Sequence, residues 1–114
     1  MKHWSSLLEA ELATWPGVTL RPMFGMASFY RNGVIFAALP RTKSFQTPRS
    51  IAFKLHNKTP RMLKLLANDP RIASPFREDG QWIALELTDE KDLSEALKWL
   101  GRAYESARRS TRKR

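Results

Sequence analysis

Cysteine is absent from this 114-residue chain, which removes disulfides, thiolate nucleophiles and cysteine-held metals from consideration. Long apolar runs are missing as well. No segment approaches the roughly 20 consecutive apolar residues that a bilayer-spanning helix needs. The N-terminal MKHWSSLLEAEL carries acids inside its apolar pattern, unlike a secretory signal. The expectation is a soluble, cytoplasmic protein with no membrane association. Histidine is scarce: His3 and His56 have no carboxylate beside them in the sequence, and a general base needs a partner to orient it. The glycines are scattered singly, so neither a P-loop nor a dinucleotide fingerprint occurs. These absences predict no catalytic residue, no metal, no cofactor and no enzyme.

Acidic residues are the most unevenly missing. Between Leu12 and Asn68 there is none, while Arg21, Arg31, Arg41, Lys43, Arg49, Lys54, Lys58, Arg61 and Lys64 all fall there. Arg108, Arg109, Arg112, Lys113 and Arg114 close the chain, whose net charge is +9. Such a sign excess favours an anionic partner, nucleic acid or an acidic protein surface, although solubility alone also accounts for it. Arg41, Lys43, Arg49, Lys54 and Lys58, with Arg108, Arg109 and Arg112, are the candidate phosphate or anion contacts. Phe45 is either a base-stacking platform or an anchor for its own loop.

What is present organises around residues 20–39. Asn32-Gly33 separates two apolar runs and supplies the two positive-φ positions of a hairpin turn, so strands are predicted over Met26 to Arg31 and Val34 to Leu39. Before them, Trp4, Leu7, Leu8, Leu12 and Trp15 recur at helical spacing up to Pro16-Gly17. A strand starts at Val18, and Arg21-Pro22 points to a sheet edge. Gly25 marks a bend. Pro40 to Arg49 reads as an exposed loop. Ser50 to His56 alternates, with Ile51, Phe53 and Leu55 on the core side and the other face partly wet. Thr59-Pro60 caps a helix running to about Asn68. Trp82 to Thr88 forms the last strand, with Ile83, Leu85 and Leu87 inward. Leu93, Ala96, Leu97, Leu100, Ala103, Tyr104 and Ala107 then mark a final helix. The predicted class is α+β: an antiparallel sheet of about four to five strands, helices at both ends and one inserted (α-β(3-4)-α-β-α). One domain covers residues 1–107, and 108–114 form a basic, disordered tail.

The segment Met23-Phe24-Gly25, the aromatic strand ending Phe29-Tyr30, the Asn32-Gly33 turn and Val34-Ile35-Phe36-Ala37 resemble the pattern that opens the TfoX N-terminal domain family. Ala52 to Leu55, Pro75-Phe76 and Trp82 to Leu87 before a helix with Trp99 and Ala103 extend the likeness from about Val18 to Ala107. The resemblance implies a fold similar to secretion chaperones, with Met23, Phe24, Gly25, Asn32, Gly33 and Phe36 as structural motif residues and no catalytic residue. Full-length members regulate natural competence with the cyclic-AMP receptor protein and carry a second, helical domain, where this chain has only a basic segment. Met26-Ala27-Ser28 and the basic loop at Pro40 to Arg49 depart from the family pattern.

Two functions follow as expectations. The first is a non-enzymatic regulatory or binding domain acting through a protein partner, with a homodimer among the options and Trp82 and Trp99 as candidate exposed anchors. The second is weak, non-sequence-specific nucleic-acid binding through the basic loop and tail.

Overall fold

The computed structural model describes residues 3–23, 25–40, 50–56, 59–70, 72, 82–87 and 92–112. Helix α1 (His3–Ala13) leads into strands β1 (Val18–Met23), β2 (Met26–Arg31), β3 (Val34–Pro40) and β4 (Ser50–Lys54); helix α2 (Pro60–Asn68), strand β5 (Trp82–Glu86) and helix α3 (Asp92–Arg112) follow. All five strands form one antiparallel sheet in chain order. The α+β class therefore holds, with four strands before the inserted helix. Among the described residues no helix is long and apolar enough to cross a membrane.

Local chemistry accounts for the order. Asn32 and Gly33 take φ of 50° and 88°, and Arg31 pairs with Val34 across them. A turn of this kind closes on a hydrogen-bonded pair, so alternation along β2 sends the backbone groups of Tyr30, Ser28 and Met26 towards β1. Their partners are Thr19, Arg21 and Met23, which leaves Pro22 facing the open edge. There its missing N–H costs nothing, and it blunts the edge against further pairing. The hairpin end is also tied from outside: the Asn32 N–H donates to Gly17 O at 2.9 Å.

The sheet has two unlike faces. Phe29, Ala37, Leu39, Ile51, Phe53, Ile83 and Leu85 join Leu8 and Leu12 of α1 and Ala96, Trp99, Leu100 and Ala103 of α3 in one apolar core. On the other face Ser28, Ala38, Ala52 and Ala84 stand side by side across four strands. All four are buried, although Ala38, Ala52 and Ala84 lie outside the core cluster. The wet second face expected of β4 is therefore dry at its centre.

Ser28 is fully buried, and its Oγ has no hydrogen-bond partner among the described residues. An unpaired buried hydroxyl carries a desolvation penalty of about 1–3 kcal/mol. Ser28→Ala is accordingly expected to stabilise the fold by about 1 kcal/mol, read as a higher urea midpoint at unchanged m-value. A lower midpoint would contradict the unpaired state of that hydroxyl.

Several details differ from the sequence reading. Leu7 is 47% exposed, since a helix on one sheet face needs a narrower stripe than Trp4, Leu7, Leu8 and Leu12 together describe. Strand β4 ends at Lys54; beyond it the His56 N–H donates to Ser106 Oγ at 3.1 Å, out of the ladder. Helix α3 runs to Arg112, past the end of its apolar stripe at Ala107, so the backbone of 108–112 continues the helix instead of forming a separate tail. Arginine is a good helix former, and cations suit the negative end of the helix dipole.

Candidate functional site

Helices α2 and α3 meet without closing on each other. Thr59 caps α2: its Oγ1 accepts from the Met62 N–H at 3.2 Å, and Pro60 takes the first helical position. At the other end Asp69 caps the helix and its Oδ2 accepts from Trp99 Nε1 at 2.8 Å. That bond fixes α2 against α3 at one end. Towards the other the helices enclose an open groove of about 520 Å³. Thr59 and Met62 line it from α2; Lys98, Gly101, Arg102, Glu105 and Ser106 line it from α3.

The α3 wall is a single stripe, since positions 98, 101, 102 and 105 share one helix face. Lys98 bridges to Glu95 at 3.3 Å, and Glu105 lies 3.9 Å from Arg31. Arg102 stacks on the Trp99 ring, its guanidinium carbon 4.4 Å from the centroid. The centre of the stripe is Gly101, where a Cβ would meet nothing within 4 Å. A glycine inside a helix costs roughly 1 kcal/mol relative to alanine, and no packing requirement among the described residues explains it.

Ser106 lines the groove and is bonded to His56, but the two assemble no reactive pair. Ser106 Oγ donates to Ala103 O at 2.8 Å and accepts from the His56 backbone, while His56 Nε2 lies 2.8 Å from Ile35 O. Both side chains are engaged with the main chain. Among the described residues no group of three or more His, Asp or Glu side chains is arranged to hold a metal ion.

Of the basic residues singled out from the sequence, Arg41, Lys43, Arg49 and Lys58 lie outside the described residues, as do Phe24 and Phe45. Lys54 ends β4 half-buried, its ammonium 5.9 Å from the Trp82 ring centroid. Arg21 makes a similar pair with Tyr30 at 5.8 Å. Arg108, Arg109 and Arg112 sit on the last turns of α3. The His56–Ser106 bond brings the exit of β4 beside that part of the helix.

The motif residues have structural places. Met23 ends β1, Gly25 turns the chain into β2 at φ 78°, Asn32-Gly33 makes the hairpin turn and Phe36 is fully buried. Trp82 is half-buried, but Trp99 is only 2% exposed. The latter is a core residue and no surface anchor, because its indole N–H finds the Asp69 carboxylate.

Sequence reasoning passed over the groove. Its signal was the glycine interrupting a helical pattern at position 101. Comparison of the chain with family models, curated proteins and solved structures finds no match.

Proposed function

We propose that this chain is a non-enzymatic binding domain that works by holding a segment of a partner protein, in a regulatory role of the kind its resemblance to TfoX N-terminal domains suggests. The observation that carries the reading is the open groove between α2 and α3. It offers Met62 and the bare backbone at Gly101 as a floor, with the stems of Lys98 and Arg102 along one side. A groove between helices suits an extended or helical segment better than a small molecule, which an enclosed pocket would hold.

Peptides displayed as a random library and selected against the immobilised full chain, with heparin present to mask polyanion sites, test this. Enrichment of sequences whose binding falls at least tenfold in Met62→Asp is the expected result. No enrichment, or enrichment insensitive to that substitution, overturns it.

A second reading, weak nucleic-acid binding, is favoured by the two cation–aromatic pairs on the sheet face opposite the helices, Arg21 with Tyr30 and Lys54 with Trp82. Phosphate-directed binding falls linearly on a log–log salt plot, by about 0.9 per contact for duplex DNA. Anisotropy titrations with generic duplex DNA and single-stranded RNA should then show a steep salt slope. Truncation before Arg108 should flatten it, as five basic residues are lost: Arg108, Arg109, Arg112, Lys113 and Arg114. No binding at low salt eliminates this reading.

A further inference from the structure

From the charge and the bare floor of the α2–α3 groove we infer its occupant: an amphipathic helix of a partner protein whose polar flank is acidic and whose apolar face lies against α3 at Gly101. The inference rests on the protein-binding reading and adds the chemistry of the partner.

The shape argues for a helix. The α3 wall from Lys98 to Glu105 covers eight residues, about 10 Å of helix rise, and the groove is open along it. At its centre, Gly101 exposes main chain with free space above it. Small residues at a helix surface permit another backbone or a large apolar side chain to come close. In the unoccupied protein Gly101 is a pure loss, because alanine would fit there without contact and favour the helix. An occupant pressed against this point turns the missing side chain into room for contact.

Charge argues for acidity. Among the described residues, the charged side chains that line the groove are Lys98, Arg102 and Glu105, and α2 brings none of its own to that lining, its acidic cap Asp69 being held by the Trp99 indole at the other end. Two carboxylates of α3 already face cations, Glu95 with Lys98 and Glu105 with Arg31. Arg102 has the Trp99 ring as its contact and no carboxylate among the described residues. The lining therefore carries two cations against one carboxylate, and Arg102 is the cation left for an occupant. A second copy of the chain is a poor occupant, since each copy carries a net charge of +9 and like charges repel.

Two synthetic helical peptides decide the matter. Both carry the same leucine-rich apolar face; one has glutamates on its polar flank and the other lysines. Each is titrated into the isotope-labelled full chain and followed by backbone amide shifts. The glutamate peptide is expected to shift the amides of Met62, Gly101 and Arg102. Its affinity should fall at least tenfold in Gly101→Leu, which fills the floor, and in the double charge reversal Lys98→Glu with Arg102→Glu. Gly101→Ala should raise the melting temperature, confirming that the position is not held by packing in the free protein.

Equal or tighter binding of the lysine peptide in the groove overturns the acidic occupant. Undiminished glutamate-peptide binding by a folded Gly101→Leu protein overturns the contact at the bare backbone. If neither helix binds while library-selected peptides remain sensitive to Met62→Asp, the helical acidic partner is wrong and the protein-binding reading stands. If those peptides are lacking too, that reading falls with it.

Discussion

Trp99→Ala is expected to destabilise the domain by about 3–5 kcal/mol, the range for removing a fully buried large aromatic side chain. The indole is 2% exposed and stacks on Phe53 with centroids 5.5 Å apart and planes 14° from parallel. Alanine leaves the space of the ring unfilled against β4 and deprives the Asp69 carboxylate of the indole N–H, a bond of 2.8 Å. Asp69 also caps α2 and its carbonyl accepts from the Ile72 N–H, so the loss reaches α2 and the bridge from Ile72 to Leu85. Since a domain of ordinary stability has about 5–15 kcal/mol in total, the variant should be partly unfolded at 37 °C. Trp99→Phe keeps most of the stack and loses the hydrogen bond, for which about 2 kcal/mol is expected. Urea titration of both variants checks the pair. An alanine variant within 1 kcal/mol of the parent would mean that α2 is not held to the sheet through this residue.

The same residue shows where reading from sequence stops. Alternation put Ile51 and Phe53, and Ile83 and Leu85, on the core side because a strand's period is local. Asn32-Gly33 and Thr59-Pro60 were readable for the same reason: turn and cap chemistry is decided within four residues. Trp99 lies at the flank of the apolar stripe of α3, where the sequence alone offers it to the surface. What buries it is Phe53 on β4 and a carboxylate on the cap of α2, both distant in the chain.

The dry row on the second sheet face was hidden likewise. Ser28, Ala38, Ala52 and Ala84 are unremarkable one at a time and become a row only through the strand register. For the groove the reason is stronger still, since it belongs to neither helix alone. Charge density drew the sequence reading to Arg41, Lys43 and Arg49. The α2–α3 surface, with its modest count of cations, becomes a candidate through an empty volume of which the sequence carries only one trace, the glycine at 101.

Phe36→Ala is the second large effect, again about 3–5 kcal/mol, and it tests a feature of the central hairpin that strict alternation would miss. The register between β2 and β3 shifts between Phe29 and Tyr30: Phe29 pairs with Ala37 and Tyr30 with Ile35. Phe36 is therefore the extra residue of a bulge, released from the period-two pattern. It turns to the helix side together with Ala37, where both join the core. There its ring lies 5.6 Å from Tyr104 at 71° and 6.4 Å from Trp15 at 12°. Tyr104 in turn donates its hydroxyl to Pro16 O at 2.7 Å and carries the Arg31 guanidinium 3.8 Å above its ring. Phe36 thus joins α3, the α1–β1 connection and the hairpin at one point.

Phe36→Leu keeps an apolar body of smaller volume and gives up the ring edge that meets Tyr104, so about 1–2 kcal/mol is expected. Combining Phe36→Leu with Tyr104→Leu in a double-mutant cycle isolates the aromatic contact, for which a coupling of about 0.5–1.5 kcal/mol is expected. Strict additivity in that cycle would show that Phe36 is held by burial alone, and that the bulge serves only to place an apolar side chain in the core. Coupling in the stated range means instead that the bulge aims one ring at another, and that the hairpin turn, its Asn32–Gly17 tie and the C-terminal half of α3 form one cooperative unit.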